Sequence, residues 1–369
     1  MPDVVIVGGG IIGCATAYYL AQAGASVTIL ERGDIAGEAS GAAAGMLAAL
    51  SGEAGERGLA FDDLCAESQA MYDGLWPDVD ATGIHVHHHR SGVLHVALDD
   101  GEASALRQRF EMVSKQNAKA RWLDRGVLLQ EEPNLNARAV AGFVTPDEQY
   151  VDPQRLTQAL AEAARRKGVS VVENAPVTRL QRTGGRIVRV STARGSYDCE
   201  TLLLAAGPWT TSLAESLGAR IPIRPVRGQM LSLEGPSTPL QHMIWGAHAY
   251  LVPREDGQTY IGATVEEVGF RKRTTHAGIL PQRRAAEALV PNFIGAKIRR
   301  EWAGLRPASL DGLPVMGRLP GWSNVWVSTG HFRNGILLAP ASGKIVAQSI
   351  FAGQPEAKLA PFTPDRFVD

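Results

Sequence analysis

Asp3 to Glu31 constrains this chain more than any other segment. It reads Asp-Val-Val-Ile-Val, then Gly8-Gly9-Gly10-Ile11-Ile12-Gly13, then a helical run, then Val27-Thr28-Ile29-Leu30-Glu31. The apolar, β-branched residues from Val4 to Val7 suit a strand buried on both faces. Gly8 supplies a tight turn, Gly10 admits backbone close to a pyrophosphate, and Gly13 lets the following helix lie against the strand. The start of that helix presents unpaired N–H groups and a positive dipole end to phosphate. Glu31 stands 18 residues beyond Gly13, at the end of the second strand. A carboxylate there accepts both ribose hydroxyls and repels a 2′-phosphate, so NADP is disfavoured. The segment predicts a dinucleotide-binding strand–helix–strand unit and does not by itself separate FAD from NAD.

The chain has 369 residues, more than one core usually serves, which points to two domains. Its net charge of −1 gives no basic field for nucleic acid or anionic lipid. Cys14, Cys65 and Cys199 are far apart in sequence and form no CxxC pair, which suits a reducing cytoplasm without disulfides or a cysteine zinc site. Val4 to Ala21 is an uncharged run of 18 residues, long enough for a bilayer span. Its glycines and strand–turn pattern fit the dinucleotide fingerprint better. No basic region precedes it, so no signal peptide is expected, and no other segment reads as membrane-spanning.

Further along, Ser40 to Leu50 is almost all small residues, and Ser51 to Gly58 reads as an exposed loop, either a gate to the site or an idle surface loop. Phe61 to Leu75 has helical spacing. Ile84 to Leu98 alternates around Arg90-Ser91-Gly92 and predicts a β-hairpin. Arg121 to Pro133 predicts a short helix and turn. Asp152-Pro153 opens a helix reaching Lys167. Val169 to Val172 predicts a strand, and Val177 to Ser191 a hairpin turned at Gly184-Gly185. Thr201 to Ala205 is a buried strand that runs into Ala206-Gly207. Strand patterns dominate from Ile221 to about Arg300, and turn and helix signals return after Trp302. Val325 to Ser328 predicts a strand and Ile336 to Ala352 a helix. The expected fold is an α/β and β-rich architecture. A discontinuous Rossmann-like nucleotide domain (1–83, 145–220 and 301–369) is threaded with a mixed-sheet substrate domain (84–144 and 221–300).

Two later segments favour a flavin. Thr201 to Thr210 ends a buried strand in Ala-Ala-Gly, where backbone can pass close to a nucleotide. Gly330-His331-Phe332-Arg333-Asn334-Gly335-Ile336-Leu337-Leu338-Ala339-Pro340 is a turn opening a helix, whose N-terminus can stabilise negative charge on a reduced flavin.

These blocks carry a family likeness, together with Ala39 to Leu47, Tyr250-Leu251-Val252-Pro253-Arg254, Gly262-Ala263-Thr264 and Trp302-Ala303-Gly304-Leu305-Arg306-Pro307. Over essentially its whole length the chain resembles the D-amino-acid-oxidase-like FAD-dependent amine oxidoreductases, and among them the glycine-oxidising branch linked to thiamine biosynthesis. The resemblance implies non-covalent FAD, since no cysteine follows Cys199 and no histidine precedes His85. It places Gly8, Gly10, Ile11, Ile12 and Gly13 at the phosphates, Glu31 and Arg32 at the ribose, and Ala39 and Ser40 beside them. Ala44, Gly45 and Met46 face the isoalloxazine, Val177 lies near the adenine, and Gly207 also borders the cofactor. His331, Phe332, Arg333, Asn334, Gly335, Ile336 and Leu337 lie at the pyrimidine.

For the substrate, the resemblance makes Arg306 a bidentate carboxylate clamp, a role its planar fork suits. Tyr250 adds a second hydrogen bond, the Arg333 carbonyl orients the amine, and His248 lines the site. The implied reaction is oxidation of glycine, sarcosine or small D-amino acids, with hydride passing from Cα to flavin N5 and dioxygen reduced to hydrogen peroxide. For glycine the products are glyoxylate and ammonia. The alternative is a D-amino-acid dehydrogenase that feeds a quinone. No side chain need act as a general base if the amine is already neutral. Val265 follows Gly262-Ala263-Thr264 where that branch tends to carry methionine, which widens the pocket. The likeness also implies a cytoplasmic homotetramer with no nucleic-acid partner and no integral membrane segment.

His85-Val86-His87-His88-His89 is the one cluster this chemistry does not absorb. Strand alternation puts His85, His87 and His89 on one face, which can bind an ion. A solvent-facing hairpin is the simpler account, and no metal is expected.

Overall fold

The computed structural model describes residues 3–49 and 57–368. Most of the segment from Ser51 to Gly58, expected as an exposed loop, therefore lies outside the described residues.

A six-stranded sheet carries the nucleotide fingerprint. Its order is Val315–Arg318, Val325–Thr329, Thr201–Leu204, Asp3–Val7, Ser26–Leu30 and Ser170–Val172. All neighbours run parallel except the first pair. Alternation splits the first strand between two cores. Val4 and Ile6 join the helices Ile11–Gln22, Pro153–Arg166 and Gly335–Ala352. Val5 and Val7 pack with Ile187 and Val190 of the antiparallel meander Val177–Asp198. A strand buried on both faces reads as a continuous apolar run for this reason.

The turn after Asp3–Val7 is as tight as its sequence demands. Gly8 adopts φ +119°, and a Cβ there would lie 2.3 Å from the Ala205 carbonyl oxygen. A Cβ on Gly13 would meet the Gly8 carbonyl oxygen, so the helix Ile11–Gln22 lies directly on the turn.

The second large sheet has eight strands, in the order Ile298–Ala308, Arg224–Glu234, Gln258–Gly262, Tyr250–Pro253, Met243–Trp245, Val93–Ala97, Ala141–Thr145 and Arg121–Asp124. Neighbours are antiparallel except Met243–Trp245 beside Val93–Ala97. The helix His276–Leu289 covers one face through Ile279, Ala286 and Leu289, packed with Leu231 and Ile261. Met230, Met243, Val252 and Trp302 turn to the other face, against Ala44 and Tyr150. A small sheet of Met46–Leu47, Gln149–Val151 and His88–His89 stands nearby.

Several local expectations change. Ile84 to Leu98 is not a hairpin: His88–His89 pairs with Gln149–Val151, whereas Val93–Ala97 joins the large sheet. Non-local partners claim each arm, and the Gly92 N–H donates to Glu148 O at 2.9 Å. The chain stays extended well past Trp302, because Ile298–Ala308 pairs along nearly all of Arg224–Glu234. Arg121–Asp124 is an edge strand, and the expected short helix is Arg125–Glu131. The helix Asp100–Gln116 is an element the local reading did not name, although Ala103, Leu106, Phe110 and Val113 recur at helical spacing on its inward side. Among the described residues the helix Gly335–Ala352, which the sequence reading did not single out as a span, is long and apolar enough to cross a membrane by length and composition. It is mostly buried here, and a helix enclosed by protein is apolar on every side for that reason.

Candidate active site

One cavity is lined by residues of both large sheets. Glu31, Val177, Gly8, Gly10, Ile11 and Ile12 border it, and so do Arg306, Tyr250 and Arg333. Its first part is shaped by the glycine turn. Glu31 accepts the Gly9 N–H through Oε2 at 2.7 Å and the Gly33 N–H through Oε1 at 2.8 Å. Both bonds fix its carboxylate at the cavity wall. The Ile11 N–H, at the helix start, donates to Ser40 Oγ at 2.9 Å. The Arg32 guanidinium lies 3.5 Å from the Trp209 ring centre and pairs with Glu38.

The middle of the wall is a close approach between sheet and loop. Trp302 Nε1 donates to Ala42 O at 3.0 Å. A Cβ on Gly45, at φ +83°, would run into the Val151 carbonyl. Ala39, Ser40, Ala44, Gly45 and Met46 all border the cavity, as does Gly207. Opposite them, His331 to Ile336 turn into the helix Gly335–Ala352. Phe332 holds φ +50°, and its N–H donates to Pro307 O at 2.9 Å. His331 Nε2 pairs with Ser342 Oγ at 3.0 Å, and burial pushes its imidazole down to about 3. It is therefore neutral at physiological pH.

Arg306 comes from Ile298–Ala308. Its Nη1 donates to Thr264 O at 2.9 Å, and its guanidinium sits 5.9 Å from the Phe332 ring centre. Burial pulls the guanidinium below its ordinary value, with nearby Tyr250 opposing and Arg333 adding to the shift. It stays charged, because a guanidinium does not lose its proton in proteins. Burial raises the Tyr250 phenol, which the Arg306 and Arg333 charges oppose. Arg333 lies 5.9 Å from the Trp245 ring centre. The fixed Arg306 and Arg333 cations in the cavity wall suit a small carboxylate.

Three sequence-named residues stand outside the wall. Gly13 lies behind the phosphate turn, where its role is packing, and Leu337 is buried in the helix core. His248 is exposed between Met243–Trp245 and Tyr250–Pro253. Gly228, Met230 and Trp245 line the cavity without having been picked out. Strand alternation at Met230 was the available signal for one of them. Val265 lies at the wall but is largely exposed.

These residues fit a flavin dinucleotide. Among the described residues, Ser328 Oγ and His331 Nδ1 are buried without a hydrogen-bond partner, and both residues border the cavity. Buried polar atoms of this kind are normally satisfied, so a polar ligand is the natural complement. The fold and cavity define a dinucleotide-dependent oxidoreductase. The chain belongs to the FAD-dependent oxidoreductase family termed DAO, whose model matches residues 3–349, and its cofactor is FAD.

The chain is 34% identical to the glycine oxidase of Bacillus licheniformis over 349 residues, covering 94% of this chain and 92% of that one. It is 35% identical to the bifunctional protein ThiO/ThiG of Trichormus variabilis, covering 99% of this chain but 55% of that longer protein. The crystal structure of glycine oxidase from Geobacillus kaustophilus superposes with a TM-score of 0.92 at 30% identity, and the match covers 100% of both chains.

Proposed function

We propose that this protein oxidises glycine, and with it sarcosine and small D-amino acids, using FAD and dioxygen. The observation that carries the reading is the half-buried Arg306 guanidinium at the cavity wall beside Tyr250. Its likeness to glycine oxidases supports the same substrate class.

Bound FAD accepts two electrons from the substrate and passes them to dioxygen, giving hydrogen peroxide. The protein's own contribution is placement. Arg306 holds the carboxylate, and Tyr250 donates its hydroxyl to the same group. The Arg333 carbonyl orients the amine. Burial excludes water and strengthens these contacts. The substrate loses two electrons and two protons overall, leaving an imine. Water converts the glycine imine to glyoxylate and ammonia. By the family resemblance, the imine also supplies thiamine thiazole synthesis.

In this reading 1–83, 145–220 and 301–369 bind the cofactor and 84–144 and 221–300 bind the substrate. The six-stranded sheet draws on the first set and most of the eight-stranded sheet on the second, which supports that division. A homotetramer, a cytoplasmic location and independence from nucleic acid complete it. Three buried free cysteines agree with a reducing compartment.

The test is anaerobic bleaching of the purified yellow protein by glycine, sarcosine and D-alanine, followed by air. Bleaching by glycine, then recolouring with peroxide release, is expected. Bleaching without recolouring points to a dehydrogenase using another acceptor. No bleaching by any of the three sinks the substrate assignment.

A further inference from the structure

The histidine cluster acquires a partner that its sequence does not reveal. Val86 and His88 turn inward: Val86 is buried, and the His88 ring stacks on Trp76 at 4.0 Å between centres. His85 and His87 therefore share the opposite face. There they meet Glu255, which follows the strand Tyr250–Pro253 and lies 170 positions from His85. His85 Nε2 lies 3.0 Å from Glu255 Oε2, and His87 Nδ1 lies 3.4 Å from the same oxygen. All three ligand atoms fall within 4.8 Å of one another.

These spacings are close to those a tetrahedral ion imposes. Bonds of about 2.0–2.1 Å set neighbouring ligand atoms about 3.3–3.4 Å apart. The His87–Glu255 edge, at 3.4 Å, already matches, and the exposed His85 ring, now 3.0 Å from Glu255, can swing to lengthen its edge and close the third. His87 also has an outer partner. Its Nε2 lies 3.4 Å from the Tyr150 hydroxyl, which leaves Nδ1 facing Glu255. A second-shell contact of this kind orients metal-binding histidines.

We propose that His85, His87 and Glu255 form a zinc site, with water in the fourth position. The ion would tie the segment leading into His88–His89 to the turn after Tyr250–Pro253. That turn is coupled to the cavity wall, because Arg254 Nη1 donates to Val151 O at 3.1 Å and to Ala44 O at 3.5 Å. The role is structural, in that zinc clamps two elements that meet beside Ala44. It does not depend on the substrate assignment.

The test uses FAD-loaded protein without an affinity tag, stripped with a chelator, dialysed and titrated with zinc alone against a chromophoric chelator. One zinc per chain is expected. Glu255→Gln and His87→Ala should each weaken binding at least tenfold with the flavin spectrum retained, and His89→Ala should leave it unchanged. Cobalt substitution of the unmutated protein keeps the result independent of any variant's folding. A tetrahedral d–d spectrum at one equivalent is expected. No stoichiometric zinc in the unmutated protein, or equal binding by Glu255→Gln, would overturn the proposal and leave a solvated ion-pair cluster.

Discussion

Gly228→Ala should cripple turnover while leaving the fold nearly untouched. Gly228 sits on Arg224–Glu234, paired with Gly304 of the adjacent strand. A Cβ at Gly228 would lie 2.3 Å from both terminal nitrogens of Arg306 and 2.4 Å from its Cζ. Ordinary heavy-atom contact needs about 3.5 Å, so the guanidinium must retreat by about 1 Å. It has little room, with the Thr264 carbonyl at 2.9 Å and Phe332 beside it. Only the tip of one side chain moves, so backbone pairing survives. A charge-assisted hydrogen bond is worth about 1.5–3 kcal/mol, and losing one lowers kcat/KM about 10- to 150-fold. A 1 Å misplacement costs about as much by orientation alone. Steady-state kinetics with glycine, flavin absorbance and thermal unfolding read the three consequences separately. Activity should approach that of Arg306→Ala, with full flavin content and a melting temperature lowered by a few degrees at most. If kcat/KM stays within about twofold of the parent with flavin retained, either Gly228 does not set the place of Arg306 or Arg306 does not hold the carboxylate.

Glu31→Gln removes the charge that faces the Gly9 and Gly33 amides and the cavity. FAD should then dissociate at least about tenfold more readily, measured by release of flavin fluorescence; an unchanged dissociation constant would remove Glu31 from the ribose site. His331 gives stability a pH dependence. Its folded value is about 3 against an ordinary 6.5, because burial disfavours the cation. Between those values the unfolded chain binds the extra proton, so stability is full above about pH 6.5 and falls as pH drops toward 3. His331→Gln should flatten the acid limb of the stability curve by about 1.4 kcal/mol per pH unit. Denaturant titrations across that range check it, and an identical slope in the variant would refute the assignment.

Local signals in the sequence were enough where the chemistry is local. The glycine turn, the Pro153 helix start capped by Asp152, and the hairpin turned at Gly184-Gly185 each depend on neighbouring residues, and each stands as read. The blocks around Arg306, Tyr250 and His331 to Ile336 were also legible, through the family likeness, and one cavity gathers them. The extended run beyond Trp302 was not legible. Its strand exists because Arg224–Glu234 pairs with it, and no feature of the segment announces that partner. The false hairpin at Ile84 to Leu98 failed for the same reason, since alternation predicts a strand but not its neighbour.

The sequence by itself determined the nucleotide-binding unit, because turn geometry, strand alternation and helix starts are decided within a few residues. Tertiary structure alone decided what meets across the chain. It set Gly228 against Arg306, left His248 exposed outside the wall, and brought Glu255 to His85 and His87. Each such contact depends on how two sheets and their connecting loops pack, and packing is a property of the whole core rather than of any segment.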